Sequence, residues 1–144
     1  MRKGNDTLLG FDFGERRIGV AVGHRQTGLA NPLETVVNPR DEVNWDALQG
    51  LIDQWQPAAL VIGIPTHMDG TETAMTKRAR HFMDALAKRS DLPAFPADER
   101  ASSRDAEHII KSNRQQGRKR AGKGDTDKIA AALILQHWME SNHD

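Results

Sequence analysis

The chain has no cysteine among its 144 residues. That absence removes disulfides, thiolate zinc sites and cysteine nucleophiles from consideration, and it suits a reducing compartment. Net charge is lacking too: 20 basic residues balance 20 acidic ones, so no global field draws the chain to nucleic acid. No apolar run behind residues 1–6 is long enough for a signal peptide or a membrane span. A cytoplasmic protein with no membrane partner is therefore expected. The six histidines show no paired ligand spacing on any helix. Neither an internal repeat nor a domain boundary is visible, so one domain over residues 1–144 is expected, large enough to bury a core unaided.

What is present is organised around residues 8–23. Leu9, Phe11 and Phe13 alternate with Leu8, Gly10 and Asp12, and Ile18, Val20 and Val22 repeat the alternation after a charged turn. Period two marks two short strands. Asp12 breaks the pattern, because aspartate is depleted in strands and a buried carboxylate is costly without a partner. A metal ion is the first candidate partner; capping of the turn to Glu15 is the plainer one.

Residues 28–32 read as a turn-rich link to a short third strand, 33–37, which Asn38-Pro39 ends. Trp45, Leu48, Ile52 and Trp55 fall on one helical stripe that Pro57 stops. Residues 59–64 form a continuous apolar run, as in a strand covered on both faces of a parallel sheet. A helix over about 73–89 aligns Met75, Ala79, Phe82 and Leu86, and residues 92–97 make a proline-interrupted strand near a sheet edge. Ser102 or Ser103 caps a helix containing Ala106, Ile109 and Ile110, and Asp125 or Thr126 caps a last helix running through Trp138. The order β-β-β-α-β-α-β-α-α describes an α/β fold: a five-stranded mixed sheet with helices on both faces.

In such sheets the site lies at the carboxyl ends of the parallel strands. Asp12 ends the first strand, Glu99 follows the last, and Asp127 falls in the first turn of the final helix. Three acids from distant segments can meet there and hold Mg²⁺ or Mn²⁺, which favour oxygen ligands. Paired ions about 4 Å apart activate water and stabilise the leaving oxygen in phosphodiester hydrolysis. Each acid also has a structural reading: Glu99 can pair with Arg100, and Asp127 stands where any helix accepts an acid.

Residues 114–124 carry Arg114, Arg118, Lys119, Arg120 and Lys123 with no acid and three glycines, a loop suited to a polyanion or to solvent. The glycine and lysine spacing of 117–123 imitates a P-loop. Position 124 is glycine rather than the Ser or Thr that binds Mg²⁺, however, and no strand precedes it. His67 lies in a loop near the proposed site. The three tryptophans fit core stripes better than base-stacking platforms.

Phe11-Asp12-Phe13-Gly14 with 17–21, Val61-Ile62-Gly63-Ile64-Pro65 with Asp69-Gly70, Asp98-Glu99-Arg100, and Lys123 with Asp127 ahead of 131–136 resemble the YqgF family. That family is assigned to pre-16S rRNA cleavage and is also described as RuvC-like Holliday junction resolvases. The resemblance spans nearly the whole chain. It implies an RNase H-like fold and a nuclease, dependent on Mg²⁺ or Mn²⁺, acting at the 5′ end of pre-16S rRNA during ribosome maturation. Its matching acids are Asp12, Glu99 and Asp127, as catalytic residues and metal ligands. Arg17, Arg100 and Lys123 match its basic motif positions, and with Arg118, Lys119 and Arg120 they are the expected phosphate contacts. The expected partners are pre-rRNA and ribosomal precursor particles, met by a monomer, with branched DNA as the alternative substrate. Junction resolvases carry a glutamate at the end of the fourth strand where this chain has Ile64-Pro65-Thr66, and Lys128 stands where the family more often has a small residue. A nonenzymatic RNA-binding factor is a further alternative. An actin-like ATPase, whose phosphate turn Asp12-Phe13-Gly14 also resembles, would need a second, duplicated half.

Overall fold

The computed structural model describes residues 6–66, 71–98 and 123–142. Five strands form one sheet: β1 (Thr7–Asp12), β2 (Arg17–His24), β3 (Leu29–Val37), β4 (Ala59–Ile64) and β5 (Ala94–Asp98). Three described α-helices accompany them: α1 (Trp45–Trp55), α2 (Ala74–Ser90) and α3 (Lys123–Ser141). Strand order is β3-β2-β1-β4-β5. The first three strands form an antiparallel meander, and β4 then joins β1 in parallel, with β5 parallel to β4. Crossovers through α1 and α2 make those parallel pairings possible.

Alternation along the strands divides the core. Leu9, Phe11, Ile18, Val20, Leu60 and Ile62 face α1 and α2, whereas Leu8, Ala21 and Val61 face α3. The β4 run is buried throughout because each of its faces meets a helix layer. On its side α3 lies close to the sheet, since small residues leave it room: a Cβ at Gly63 would meet Ile134 at 2.6 Å and one at Gly10 would meet Leu135 at 2.8 Å. Among the described residues no helix is long and apolar enough to cross a membrane.

Three expectations need correction. The third strand begins at Leu29 rather than 33, so Pro32 lies inside it. An edge strand tolerates that proline, and a register shift opposite Val20 and Ala21 absorbs Leu33 as a bulge. In α2 the buried residue near the start is Thr76 rather than Met75: its hydroxyl donates to the Pro65 carbonyl and completes a capping box with Thr73. The last helix starts at Lys123 and runs through Ser141, so Asp125 and Thr126 are interior rather than caps, and Asp127 falls in the second turn. The helix expected after Ser102, the loop holding His67, and 114–122 of the basic segment lie outside the described residues.

Candidate active site

The carboxyl ends of β1, β4 and β5 share one rim of the sheet, since the three strands are mutually parallel. Asp12 is the last residue of β1 and Asp98 the last of β5, in register with Ile64. Glu99, the next residue, is outside the described residues, as are Arg100, Arg118, Lys119 and Arg120. Lys123 is the first residue of α3.

Asp12 belongs to the Leu8–Gly10 row of β1, the row that faces α3. Across the antiparallel pair its partner is Gly19. That glycine is required by close approach: a Cβ there would stand 2.0 Å from the Asp127 carbonyl oxygen and 2.8 Å from the Lys128 nitrogen. Directly opposed residues hold their Cβ positions about 5 Å apart, so the Asp12 Cβ lies within roughly 7 Å of the Asp127 carbonyl. The bare backbone of β2 thus lets the start of α3 settle beside the end of β1. Two carboxylate residues separated by most of the chain become neighbours.

A cleft of about 410 Å³ opens here, lined by Gly14, Glu15, Arg16, Arg17 and Asp127. Arg17, expected to meet phosphate, donates from Nε to Oδ2 of Asp127 at 2.8 Å. The two side chains keep 35% and 26% of their surface in solvent. The pair is therefore accessible and exchangeable, and a charge-assisted bond of this kind orients the carboxylate.

The turn between β1 and β2 is fixed from below by Asn38, one of the two buried polar residues among those described. Its side-chain amide donates to the carbonyls of Gly14 at 3.2 Å and Glu15 at 3.1 Å, and its carbonyl oxygen accepts from the Asn44 backbone at 3.2 Å. The backbone nitrogen of Asn38 bonds the Arg16 carbonyl at 2.8 Å. Read in sequence, Asn38-Pro39 marks only the end of a strand. The signal that it does more is a polar residue with three hydrogen-bonding groups beside a charged turn, and that signal becomes specific only once the meander is closed.

Oxygen donors of the Asp12 and Asp127 type suit a hard divalent cation, so the chemistry of this pair fits Mg²⁺ or Mn²⁺. Among the described residues no group of three or more acidic or histidine side chains forms a complete metal cage. Glu99, the third acid expected at this rim, lies outside the described residues, and Asp12 is not among the residues lining the cleft.

A family model described as RuvX, Holliday junction resolvase, matches residues 6–141. A protein of Dechloromonas aromatica is 46% identical over 138 residues, which cover 95% of this chain and 92% of that one. One of Legionella pneumophila (strain Paris) is 42% identical over 134 residues, covering 93% of this chain and 95% of the relative. Both carry the name "Putative pre-16S rRNA nuclease". Among solved structures, Thermus thermophilus RuvC in complex with a Holliday junction substrate superposes with a TM-score of 0.58 at 18% identity, over 94% of each chain. The Fowlpox virus resolvase with Holliday junction DNA gives 0.58 at 9% identity, over 94% and 97% of the two chains. Likeness at such low identity establishes the fold: a RuvC-like sheet of the RNase H-like kind.

Proposed function

This chain belongs to the RuvX (YqgF) family, and on that premise we propose that it is a phosphodiester-cleaving nuclease acting on the 5′ end of pre-16S rRNA. The observation that carries the reading is the approach of Asp12 and Asp127 across Gly19 at the carboxyl rim of the sheet. Asp12 and Asp127, with Glu99 as third ligand, hold Mg²⁺ or Mn²⁺ in this proposal. Bound there, the ion supplies Lewis-acid stabilisation of charge developing on the phosphodiester. Arg17 turns from Asp127 toward a substrate phosphate. Arg100, Arg118, Lys119, Arg120 and Lys123 add the cationic grip that a polyanion requires. The chain acts as one nuclease domain over residues 1–144, as a cytoplasmic monomer, with ribosomal precursor particles as its partners.

Branched DNA is the second reading, favoured by the family description and by the junction-bound structural neighbours. Against it, Ile64 is a buried apolar residue at the end of β4, where junction resolvases carry a glutamate. The test is cleavage of a 16S precursor fragment beside a four-way DNA junction, with Mg²⁺, Mn²⁺ or EDTA, by wild type and Asp12→Asn. Ion-dependent RNA cleavage that Asp12→Asn loses, with circular dichroism unchanged, supports the reading. Cleavage that survives the substitution removes Asp12 from the site, and preference for the junction replaces the substrate. RNA binding with neither ion uptake nor cleavage leaves a nonenzymatic RNA-binding factor.

A further inference from the structure

On the opposite side of the β1–β2 turn from Asp127 lies a larger groove, about 730 Å³, between the start of α1 and one flank of α2. Its volume is in the range of small-ligand sites. The floor is aromatic. Phe13 packs on Phe82 with ring centroids 4.9 Å apart, and Trp45 stacks on Phe82 at 5.7 Å and 18°. Phe82 is buried, whereas Phe13 and Trp45 remain half-buried and present part of their surface to the groove. A tryptophan read from periodicity as a core residue thus lines an open cavity.

The rim is cationic. Its cations, Lys77 and Arg89, share one stripe of α2 with His81 between them, and all three side chains are exposed. The Arg89 guanidinium carbon lies 4.3 Å from the centre of the Trp45 ring, so its plane is held in place as a further stacking surface. Among the described residues Glu15 is the one acid lining the groove, and Arg78 pairs with it at 2.7 Å. Flat apolar floors with cationic rims are how unpaired bases and their phosphates are held: bases stack on aromatic or guanidinium planes while cations follow the backbone. Paired bases hide their faces in the duplex and cannot use such a floor.

Glu15 also lines the cleft that holds Arg17 and Asp127. The two cavities therefore meet at one turn, which Asn38 secures. We propose that this groove receives unpaired nucleotides of an RNA strand next to the phosphate placed in the Asp127 cleft. The inference rests on the nuclease reading and adds to it that the RNA must be single-stranded on the α2 side of the cut.

The test uses the full chain in EDTA, so that binding is read without cleavage. Fluorescence anisotropy of a short single-stranded RNA is compared with that of the same sequence as a duplex. Wild type is expected to bind the single strand better. The double variant Lys77→Gln/Arg89→Gln, altered at two exposed side chains, is expected to bind it about tenfold more weakly, with the slope of log affinity against log salt reduced by about 1.4. Photocrosslinking of an RNA carrying 4-thiouridine gives an independent readout on unaltered protein, with adducts expected at Phe13 or Trp45. Affinity unchanged in the double variant, adducts confined to other elements, or tighter binding of the duplex each overturn the proposal. Cleavage is scored separately with Asp12→Asn. RNA held in the groove but never cut overturns the nuclease reading alone; cutting without any contribution from Lys77 and Arg89 overturns this inference alone. RNA that fails to bind at low salt overturns both.

Discussion

Arg17 Nε donates to Asp127 Oδ2 at 2.8 Å, joining β2 to α3 across 110 positions of sequence. The bond ties a cation proposed for phosphate to a carboxylate proposed for metal, so each is engaged by the other until ligands arrive. Replacing Arg17 by Leu frees the carboxylate and removes a positive charge from beside the ion site. Calorimetric titration is expected to show Mn²⁺ binding up to a few-fold more tightly to Arg17→Leu than to wild type, since a solvent-accessible ion pair contributes about 0.2–1 kcal/mol and about 1.4 kcal/mol amounts to tenfold. Cleavage should fall in the same variant because the phosphate contact goes with the side chain. Mn²⁺ binding that is unchanged or weaker would show that Arg17 does not compete for Asp127.

Gly19 offers a sharper structural test. A methyl group there meets backbone atoms of Asp127 and Lys128, which cannot swing aside as a side-chain tip can. Gly19→Ala must push the start of α3 off the sheet, an overpacking that costs about 1–3 kcal/mol. Thermal denaturation is expected to show a midpoint roughly 3–10 °C lower. RNA cleavage should fall by more than the unfolded fraction explains, because Asp127 moves away from Asp12. A variant with wild-type midpoint and activity would deny that this contact positions the site.

Much of this arrangement was legible in the sequence, because period and punctuation carry it. The alternation around Asp12 gave the hairpin and the face of each residue, and the unbroken run from Ala59 to Ile64 gave a strand covered on both sides. Pro32 reads as a link in sequence because the rule against proline in strands relaxes only at an edge, and edge position is a property of the assembled sheet. The start of α3 is hidden from the sequence for a related reason. Asp125 and Thr126 are good cap residues, but capping preference is local and does not stop the helix from continuing back to Lys123. Asn38 escaped because its partners, the carbonyls of Gly14 and Glu15, come within reach only when β3 has paired with β2.

Gly50 provides a contrast to Gly19. It lies in the interior of α1, is exposed, and a Cβ added there meets nothing within 4 Å. Glycine in an open helical position costs about 0.5–1 kcal/mol relative to alanine, through the extra freedom of the unfolded chain. Gly50→Ala should therefore raise the denaturation midpoint by a few degrees and leave RNA cleavage unchanged. A fall in the midpoint would contradict the open environment of this face of α1.

Asn38 is where fold and site are most tightly joined. Replacing it by alanine leaves the Gly14 and Glu15 carbonyls without their donor and the Asn44 nitrogen without its acceptor, at a partly buried place beneath the turn. Unsatisfied buried groups cost about 1–3 kcal/mol, so a measurable loss of stability in urea is expected. The informative comparison is Asn38→Asp, which keeps the volume and the oxygen that accepts from Asn44 but turns the donor toward the two carbonyls into a second acceptor. At neutral pH a carboxylate facing carbonyl oxygens repels them, so Asn38→Asp should be less stable than Asn38→Ala although it is closer in shape. If hydrogen bonding to the turn is what Asn38 contributes, both variants also lose cleavage at temperatures where they remain folded, because Gly14 and Glu15 line the cleft beside Asp127. An aspartate variant as stable as wild type, and more stable than Asn38→Ala, would mean instead that Asn38 only fills space.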